Sequence, residues 1–175
     1  VLSLMLGGDT IAAAMLKASD GFASSPAIGI YAPLATLTTP VTSPTLEQVA
    51  LANGFINQTF TNLFGRTATH SEQTIWREAF FDGAIPFSDL VYDIASSAQN
   101  NDVVAMNAKI LAASYFTSTF ATTPLDPPSL AEMQAAVSGV TNGTTLFNSQ
   151  AATDALMGGT HTQVEYQSIL EPGNI

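Results

Sequence analysis

The sequence predicts an all-α protein, organised as a compact bundle of five to seven helices with two extended segments. Three features support this prediction. The pattern of a helix capping box, in which Ser or Thr precedes Glu or Gln by three residues, occurs at 45–48, 69–72 and 129–132. Apolar residues after each box recur at steps of three and four, the spacing of one helix face. Glycines then follow at positions where helices commonly end, namely Gly65, Gly83 and Gly139.

Changes in composition divide the chain into four segments. Residues 1–22 form a predicted N-terminal helical segment, in which Asp9 caps a helix. Residues 23–44 contain four prolines among serines and threonines, which predicts an extended arm lying on its own domain or on a neighbour. Residues 45–158 form the predicted helical domain, and residues 159–175 a predicted extended tail. The chain opens without a methionine, so we expect it to be a piece of a longer protein.

Within the helical domain, apolar spacing assigns residues to helix faces. The stripe after the first box comprises Leu46, Val49, Asn53, Ile56, Phe60 and Leu63. The helix after the second box is predicted to bury Ile75, Trp76, Ala79 and Phe80. A helix with Pro86 in its first turn is predicted to present Phe87, Leu90, Val91, Ile94 and Ala98. The next helix presents one apolar face made of Val103, Met106, Ile110 and Ala113. Two shorter helices follow, one ending at Gly139 and one over residues 145–157.

The composition narrows the range of partners. Charged residues make up only 10% of the chain and hydrophobic residues 46%, which is typical of secreted and cell-surface proteins. The formal net charge of −10 disfavours nucleic acids and anionic membrane surfaces, because both require clustered Lys and Arg. No apolar run reaches the roughly 18 residues of a transmembrane helix. A neutral glycan and a divalent cation stay open as ligands.

The sequence shows no motif of a known catalytic or metal site. It has no cysteine, which excludes disulfides, thiolate metal sites and cysteine nucleophiles. The two histidines, His70 and His161, lie in no metal-ligand spacing, and neither a phosphate-binding glycine loop nor a GxSxG motif occurs. Asp82, Asp89 and Asp93 are predicted to form a solvated acidic face. We therefore expect no cofactor, and calcium stays open although no DxDxDG loop is present.

Arg66 is one of four cations in the chain and follows Gly65 at the end of a predicted helix. The last carbonyls of a helix lack amide partners, and a guanidinium offers five donors in a rigid fork. We therefore predict that Arg66 clamps helix ends and pairs with a nearby acid, the candidates being Glu72, Glu78 and Asp89. A ligand-anion site is the alternative. Trp76, the single tryptophan, is predicted to be part of the core rather than a sugar-stacking platform.

The stretch FINQTFTNLFGRTATHSEQTIW, residues 55–76, resembles the signature of a bacterial helical family called domain of unknown function 4214. The matching positions are Phe55, Asn62, Leu63, Phe64, Gly65, Arg66 and Trp76. Similar blocks continue downstream, so that the resemblance spans residues 46–157 and includes Asn107, Lys109, Tyr115 and Phe116. The chain departs from the family after Arg66, where the Pro-Asp pair of the family is replaced within TATH.

The resemblance implies a non-catalytic module of a large secreted bacterial protein, such as an S-layer protein or a calcium-binding-repeat adhesin exported by type I secretion. Its expected role is self-assembly, as a homo-oligomer or lattice, or attachment to surface polysaccharide or lipopolysaccharide at the cell surface. The residues predicted to carry this structural role are Gly65, Arg66, Trp76, Gly83 and Lys109. Two alternatives stay open: a polysaccharide-acting enzyme that uses Asp82, Asp89 or Asp93, and a linker or scaffold subunit of a larger assembly.

Overall fold

A computed structural model describes residues 26–37, 40–121 and 129–156 of the chain. These ranges hold no strand, and the all-α prediction is confirmed for them. Their elements are a 3₁₀-helix η1 (Pro26–Tyr31) and the α-helices α1 (Ala32–Ala35), α2 (Leu46–Phe64), α3 (His70–Phe81), α4 (Leu90–Ser96), α5 (Asn101–Ala121), α6 (Leu130–Val137) and α7 (Gly143–Leu156). The predictions for residues 1–22, for the tail 159–175 and for His161 lie outside the described residues.

The ends of the helices follow the local sequence. At the start of α2 the backbone N–H of Thr45 donates to Gln48 Oε1 at 2.8 Å, and the N–H of Gln48 donates to Thr45 Oγ1 at 3.2 Å. The same reciprocal bonds form at the starts of α3 and α6, so all three predicted capping boxes are confirmed. The glycines predicted to end helices adopt positive φ, with values of 73° at Gly65, 75° at Gly83 and 71° at Gly139.

The chain divides into two compact units, each with its own core. Among the described residues, the first unit comprises 26–61 and Arg66–Ala98, and the second comprises Asn62–Gly65 and 99–156. The helices α1, α3 and α4 and most of α2 therefore belong to the first unit. The helices α5, α6 and α7 belong to the second.

Aromatic rings dominate the core of the first unit. The ring centroid of Phe55 lies 5.2 Å from that of Tyr31 and 4.7 Å from that of Phe87. Phe80 lies 5.2 Å from Phe81 and 6.0 Å from Phe87. Such ring pairs contribute about 0.5–1.5 kcal/mol each beyond the area that they bury. Aliphatic side chains fill the space around them, among them Ala52, Ile56, Leu90 and Ile94.

The predicted extended arm is wrong for residues 26–35, which form η1 and α1. Pro33 lies in the first turn of α1, where the fixed φ and the missing N–H of proline are compatible with a helix. Leu34 is only 1% exposed, and the ring of Tyr31 packs on α2, so this part of the arm lies on its own unit. The backbone N–H of Val41 then donates to the last carbonyl of α3 at 2.7 Å. The composition of residues 26–35 indicates an extended chain, but burial of Leu34 in the core stabilises a helical conformation instead.

Several predicted faces of the first unit are shifted. Leu46 is 90% exposed and Ile75 58% exposed, although both were predicted to lie on buried stripes. Trp76 is half-buried, and the residues that α3 buries fully are Phe80, which was predicted, and Phe81. The helix predicted to open at Pro86 begins at Leu90, after a turn closed by the bond from the Asp89 N–H to the Pro86 carbonyl.

The core of the second unit is built on small side chains. Ala108 and Ala112 of α5 are buried against Val140 and Leu146, and Val104, Leu111 and Val137 pack around them. The apolar face that spacing selects on α5 is therefore not its core face. Ile110, near the centre of that face, is 47% exposed. Alanines occupy the core positions of α5 because a small side chain lets neighbouring helices approach closely.

Candidate functional site

The site indicated by the sequence motif is a cluster at the start of α3, here called the Arg66 cluster: Phe60, Arg66, the carbonyl of Thr67, Thr69 and Glu72. The guanidinium of Arg66 makes a two-pronged ion pair with Glu72, with Nη1 donating to Oε2 at 2.9 Å and Nη2 to Oε1 at 2.7 Å. Nη1 also donates to the Thr67 carbonyl at 3.3 Å. The guanidinium carbon Cζ of Arg66 lies over the Phe60 ring, 4.9 Å from its centroid. Phe60 belongs to α2 and Glu72 to α3, so one guanidinium contacts both helices.

Glu72 is the carboxylate of this cluster, and it accepts four hydrogen bonds. Besides the two bonds from Arg66, its Oε2 accepts from the backbone N–H of Thr69 at 2.7 Å and from the Thr69 hydroxyl at 2.8 Å. The hydrogen bond from Arg66 is the main cause that lowers the pKa of Glu72 to about 2; partial burial opposes this shift, and the bonds from Thr69 add to it. The carboxylate is therefore ionised at neutral pH and fixed in place. It supports the helix start and is not a proton donor.

The predicted pairing of Arg66 with an acid is confirmed, whereas the carbonyl to which it donates is that of Thr67, beyond the end of α2. The arginine pairs with an acid, and the acid is Glu72, one of the three candidates named from the sequence. That acid is the third residue of a capping box, so the clamp acts on the beginning of α3. The alternative of an open anion-binding site fits less well, because the guanidinium lies over the Phe60 ring and two of its nitrogens already donate to a carboxylate.

Gly65 ends α2 and cannot be replaced without strain. Its φ of 73° lies in the left-handed region that side chains rarely adopt. A Cβ atom at this position would overlap the methyl group of Thr141, a residue of the same unit. The glycine at this point of the motif is therefore required by the turn and by a close neighbour.

A row of polar side chains, which the sequence analysis does not identify, joins α2 to α3. Asn57 Oδ1 accepts from the Ala68 backbone N–H at 3.2 Å and from Gln73 Nε2 at 3.0 Å. One turn away, Arg77 Nη1 donates to Asn53 Oδ1 at 3.2 Å. The matching spacing, four residues on each helix, was the available signal for an antiparallel pair. It was missed because Asn53 had been assigned to an apolar stripe.

Lys109 has a definite structural contact in the second unit. Its Nζ donates to the Val137 carbonyl at 2.9 Å, at the C-terminal end of α6. A cation at this end of a helix satisfies a carbonyl that lacks an amide partner and complements the helix dipole. Burial lowers the pKa of Lys109. The cap on a helix C-terminus, the role that the sequence analysis predicts for Arg66, is thus made by Lys109 at the end of α6.

Two further bonds hold α7 in the second unit. The Tyr115 hydroxyl donates to Asp154 Oδ1 at 2.7 Å, and the Ser149 hydroxyl donates to the Ala136 carbonyl. Tyr115, like Lys109, belongs to the part of the motif that lies on α5. These residues therefore serve the packing of α6 and α7 around α5.

The remaining candidates are not among the residues that define the Arg66 cluster. Gly83 forms the turn after α3, and His70 is exposed at the first position of that helix. Asp82 is exposed, whereas Asp89 and Asp93 are half-buried. Burial and, to a lesser extent, the nearby charge of Asp89 raise the pKa of Asp93. Within the described ranges, no three His, Cys, Asp or Glu side chains come together as a metal site.

Comparison of the chain with protein-family models, with curated proteins and with solved structures returned no match. The resemblance to domain of unknown function 4214 therefore stays a prediction from the motif. Across the helices described, none combines the length and the apolar character that crossing a bilayer requires.

Proposed function

We propose that this chain is a non-catalytic structural and attachment module of a bacterial cell-surface or extracellular protein. In this role it self-assembles, anchors to surface polysaccharide, or does both. The observation that carries the proposal is the Arg66 cluster. Gly65 and Arg66 are the most distinctive residues of the motif. Gly65 forms the turn after α2, and Arg66 links α2 to α3 through its contacts with Phe60 and Glu72.

The composition of the surface supports an attachment role. Only 10% of the residues are charged, so hydroxyl and amide groups cover much of the exterior. Large apolar side chains are also exposed on helices, Leu46 and Ile75 in the first unit and Ile110 in the second. Surfaces of this kind pack against neighbours or against neutral glycans with little desolvation of charge. The net charge of −10 limits non-specific association in solution.

The proposal is tested by two measurements on the purified chain. Light scattering at increasing protein concentration, with and without calcium, reports self-assembly. Co-sedimentation with purified lipopolysaccharide or capsular polysaccharide, with dextran as the control, reports attachment. We expect at least one of the two to be positive. A chain that stays monomeric at millimolar concentration and sediments with neither polysaccharide is not such a module.

A polysaccharide-acting enzyme is the second candidate, and the raised pKa of Asp93 is the observation that favours it. A general acid in a glycosidase needs a carboxyl group whose pKa is raised by burial or by a second carboxylate. Release of reducing sugar from surface polysaccharide would reveal this activity. Asp93→Asn should then abolish release, whereas substitution of the exposed Asp82 by Asn should not. Absence of release by the wild-type chain rejects this candidate.

A further inference from the structure

The dipeptide Asn-Gly occurs twice in the chain, at 53–54 and at 142–143. An asparagine before a glycine is prone to lose its side-chain amide, because glycine has no Cβ to hinder attack by its backbone nitrogen on the preceding side chain. The two copies carry the same reactive groups. The structure around each copy therefore decides whether the reaction proceeds in the folded protein.

The first copy lies inside a helix. Asn53 and Gly54 belong to α2, where the Gly54 N–H is bonded along the helix and is not free to act as a nucleophile. The side-chain oxygen of Asn53 accepts a hydrogen bond from Arg77 Nη1 at 3.2 Å. A Cβ on Gly54 would lie 3.5 Å from the Tyr31 hydroxyl, so this glycine packs closely against η1. Attack by its nitrogen requires local opening of α2.

The second copy lies in the turn before α7. Asn142 is exposed, and Gly143 is the first residue of α7, whose leading N–H groups have no acceptor within the helix. The side-chain oxygen of Asn142 lies 3.0 Å from the Thr145 backbone nitrogen and 3.2 Å from the Thr145 hydroxyl, both of which donate to it. These donors stabilise the negative charge that the oxygen gains when a nucleophile adds to the amide carbon. The folded turn thus joins an available nitrogen to an activated amide.

We propose that Asn142 is a site of spontaneous deamidation in the folded protein, whereas Asn53 is protected. The Gly143 nitrogen bonds to Cγ of Asn142, the bond from Cγ to Nδ2 breaks, and Nδ2 leaves as ammonia with the proton of the Gly143 N–H. Water then opens the succinimide ring: addition at Cγ gives aspartate, and addition at the main-chain carbonyl carbon gives isoaspartate. Either product adds a negative charge to the net charge of −10. This modification does not depend on the proposed function.

The two products have opposite consequences for α7. Aspartate keeps an acceptor for the Thr145 N–H and places a negative charge at the start of the helix, where such a charge is favourable. In isoaspartate the main chain runs through Cγ, so the carbonyl that accepts from the Leu146 N–H at 2.9 Å no longer belongs to the main chain. Leu146 is buried in the core of the second unit, and loss of this bond loosens the start of α7.

Incubation of the folded full chain at neutral pH, followed by proteolysis and mass spectrometry of the peptides, tests the proposal. Conversion of the Asn142 amide to an acid should be about tenfold faster than that of Asn53, or more, because Asn53 reacts only when α2 opens. In urea, where both copies are unfolded, the two rates should become similar. Equal rates in the folded chain, or conversion of Asn142 in urea alone, would overturn the proposal.

Two alanine variants test the route through the glycine nitrogen. Gly143→Ala hinders that nitrogen and should slow conversion of Asn142 several-fold in the folded chain. Gly54→Ala is the matched control and should leave this rate unchanged, because its Cβ meets Tyr31 only at an ordinary contact distance. An unchanged rate in Gly143→Ala would mean direct hydrolysis of the amide and would refute the succinimide route. The comparison of folded and unfolded wild-type chain needs no variant, so it decides the matter even if a substitution disturbs α7.

The products are distinguished by methylation with a protein isoaspartyl methyltransferase, which labels isoaspartate and not aspartate. Hydrogen exchange of residues 143–150 should be faster in the labelled, isoaspartyl fraction than in unmodified chain. It should be unchanged in the aspartyl fraction. Equal exchange in the two fractions would contradict the assigned effect on the start of α7.

Discussion

The two units of the chain solve the packing of helices in different ways. The first buries large aromatic rings; the ring of Phe80, for example, contacts those of Phe81 and Phe87. The second buries alanines of α5 against Val140 and Leu146. Large rings tolerate truncation poorly, because the cavity that is left cannot close. Alanine positions tolerate enlargement poorly, because the helices around them are already close. The two cores are thus sensitive to opposite substitutions.

The units also differ in the partners of their charged side chains. In the first, Arg66 and Glu72 neutralise each other through two parallel bonds, and the pKa of Glu72 falls to about 2. In the second, Lys109 has a neutral carbonyl as its bonded partner, and burial lowers its pKa. An ion pair of the first kind strengthens the folded state over the whole neutral range. A half-buried ammonium gains a helix cap but loses part of its hydration, so its net contribution is small.

Truncation of the aromatic core is expected to give the largest effect. Phe80→Ala should lower the free energy of unfolding by about 3–5 kcal/mol, because a 1%-exposed ring leaves a cavity. Chemical denaturation followed by the fluorescence of Trp76, which lies one turn away in the same unit, measures it. The control is Ile75→Ala on the same helix, where a 58%-exposed side chain should cost only about 0.5 kcal/mol. Equal losses for the two variants would contradict an aromatic core at this place.

Enlargement of the alanine core comes next. Ala108→Leu should destabilise the second unit by about 1–3 kcal/mol, because α5 has no room for a longer side chain against Val140 and Leu146. Hydrogen exchange of peptides from residues 101–156 measures the loss. Ala131→Leu, at an exposed position of α6, is the matched control and should exchange like the wild type. An unchanged exchange rate for Ala108→Leu would show that the helices are not closely packed there.

The third-largest effect is expected at the Arg66–Glu72 ion pair, which makes the free energy of unfolding depend on pH. The folded-state pKa of Glu72, about 2, lies below its ordinary value of 4.5, so its stabilisation is complete above about pH 4.5 and is lost as pH falls toward 2. Glu72→Gln should cost about 1–2 kcal/mol at pH 7, after allowance for partial exposure, and should flatten the acid limb of the stability curve. Trp76 fluorescence against urea at several pH values measures both. Glu78→Gln, at an exposed position of the same helix, should retain the acid limb.

The smallest effect is expected at the cap in the second unit. Lys109→Met keeps the length of the side chain but removes the donor to the Val137 carbonyl, and we expect a loss of about 0.5–1 kcal/mol. The burial-lowered pKa means that the folded state disfavours the charged amine, so in the wild type stability rises as pH passes upward through the folded pKa toward the unfolded value. The variant should lose this rise. Denaturation of both proteins at a series of alkaline pH values, followed by circular dichroism, measures this rise. An equal rise in the wild type and in Lys109→Met would contradict the prediction.

The sequence by itself determined the start of each helix that opens on a capping box and the glycine turns at Gly65, Gly83 and Gly139. A capping box and a glycine stop act over three or four residues, so Thr69 with Glu72 and Ser129 with Glu132 could be identified without knowledge of the fold. The pairing of Arg66 with an acid six positions away was foreseeable for the same reason. Such interactions join residues no more than six positions apart in the sequence.

Only the tertiary structure decided which faces are buried. Apolar residues surround α5, so periodicity could not choose between the face of Ile110 and that of Ala108. The segment around Pro33 is helical because Leu34 is buried in the core of its unit. Asn57 has its hydrogen-bond partners because α3 runs antiparallel to α2. Burial depends on neighbours that are distant in sequence, whereas a cap depends on neighbours that are adjacent. That difference in range separates what could be predicted here from what had to be observed.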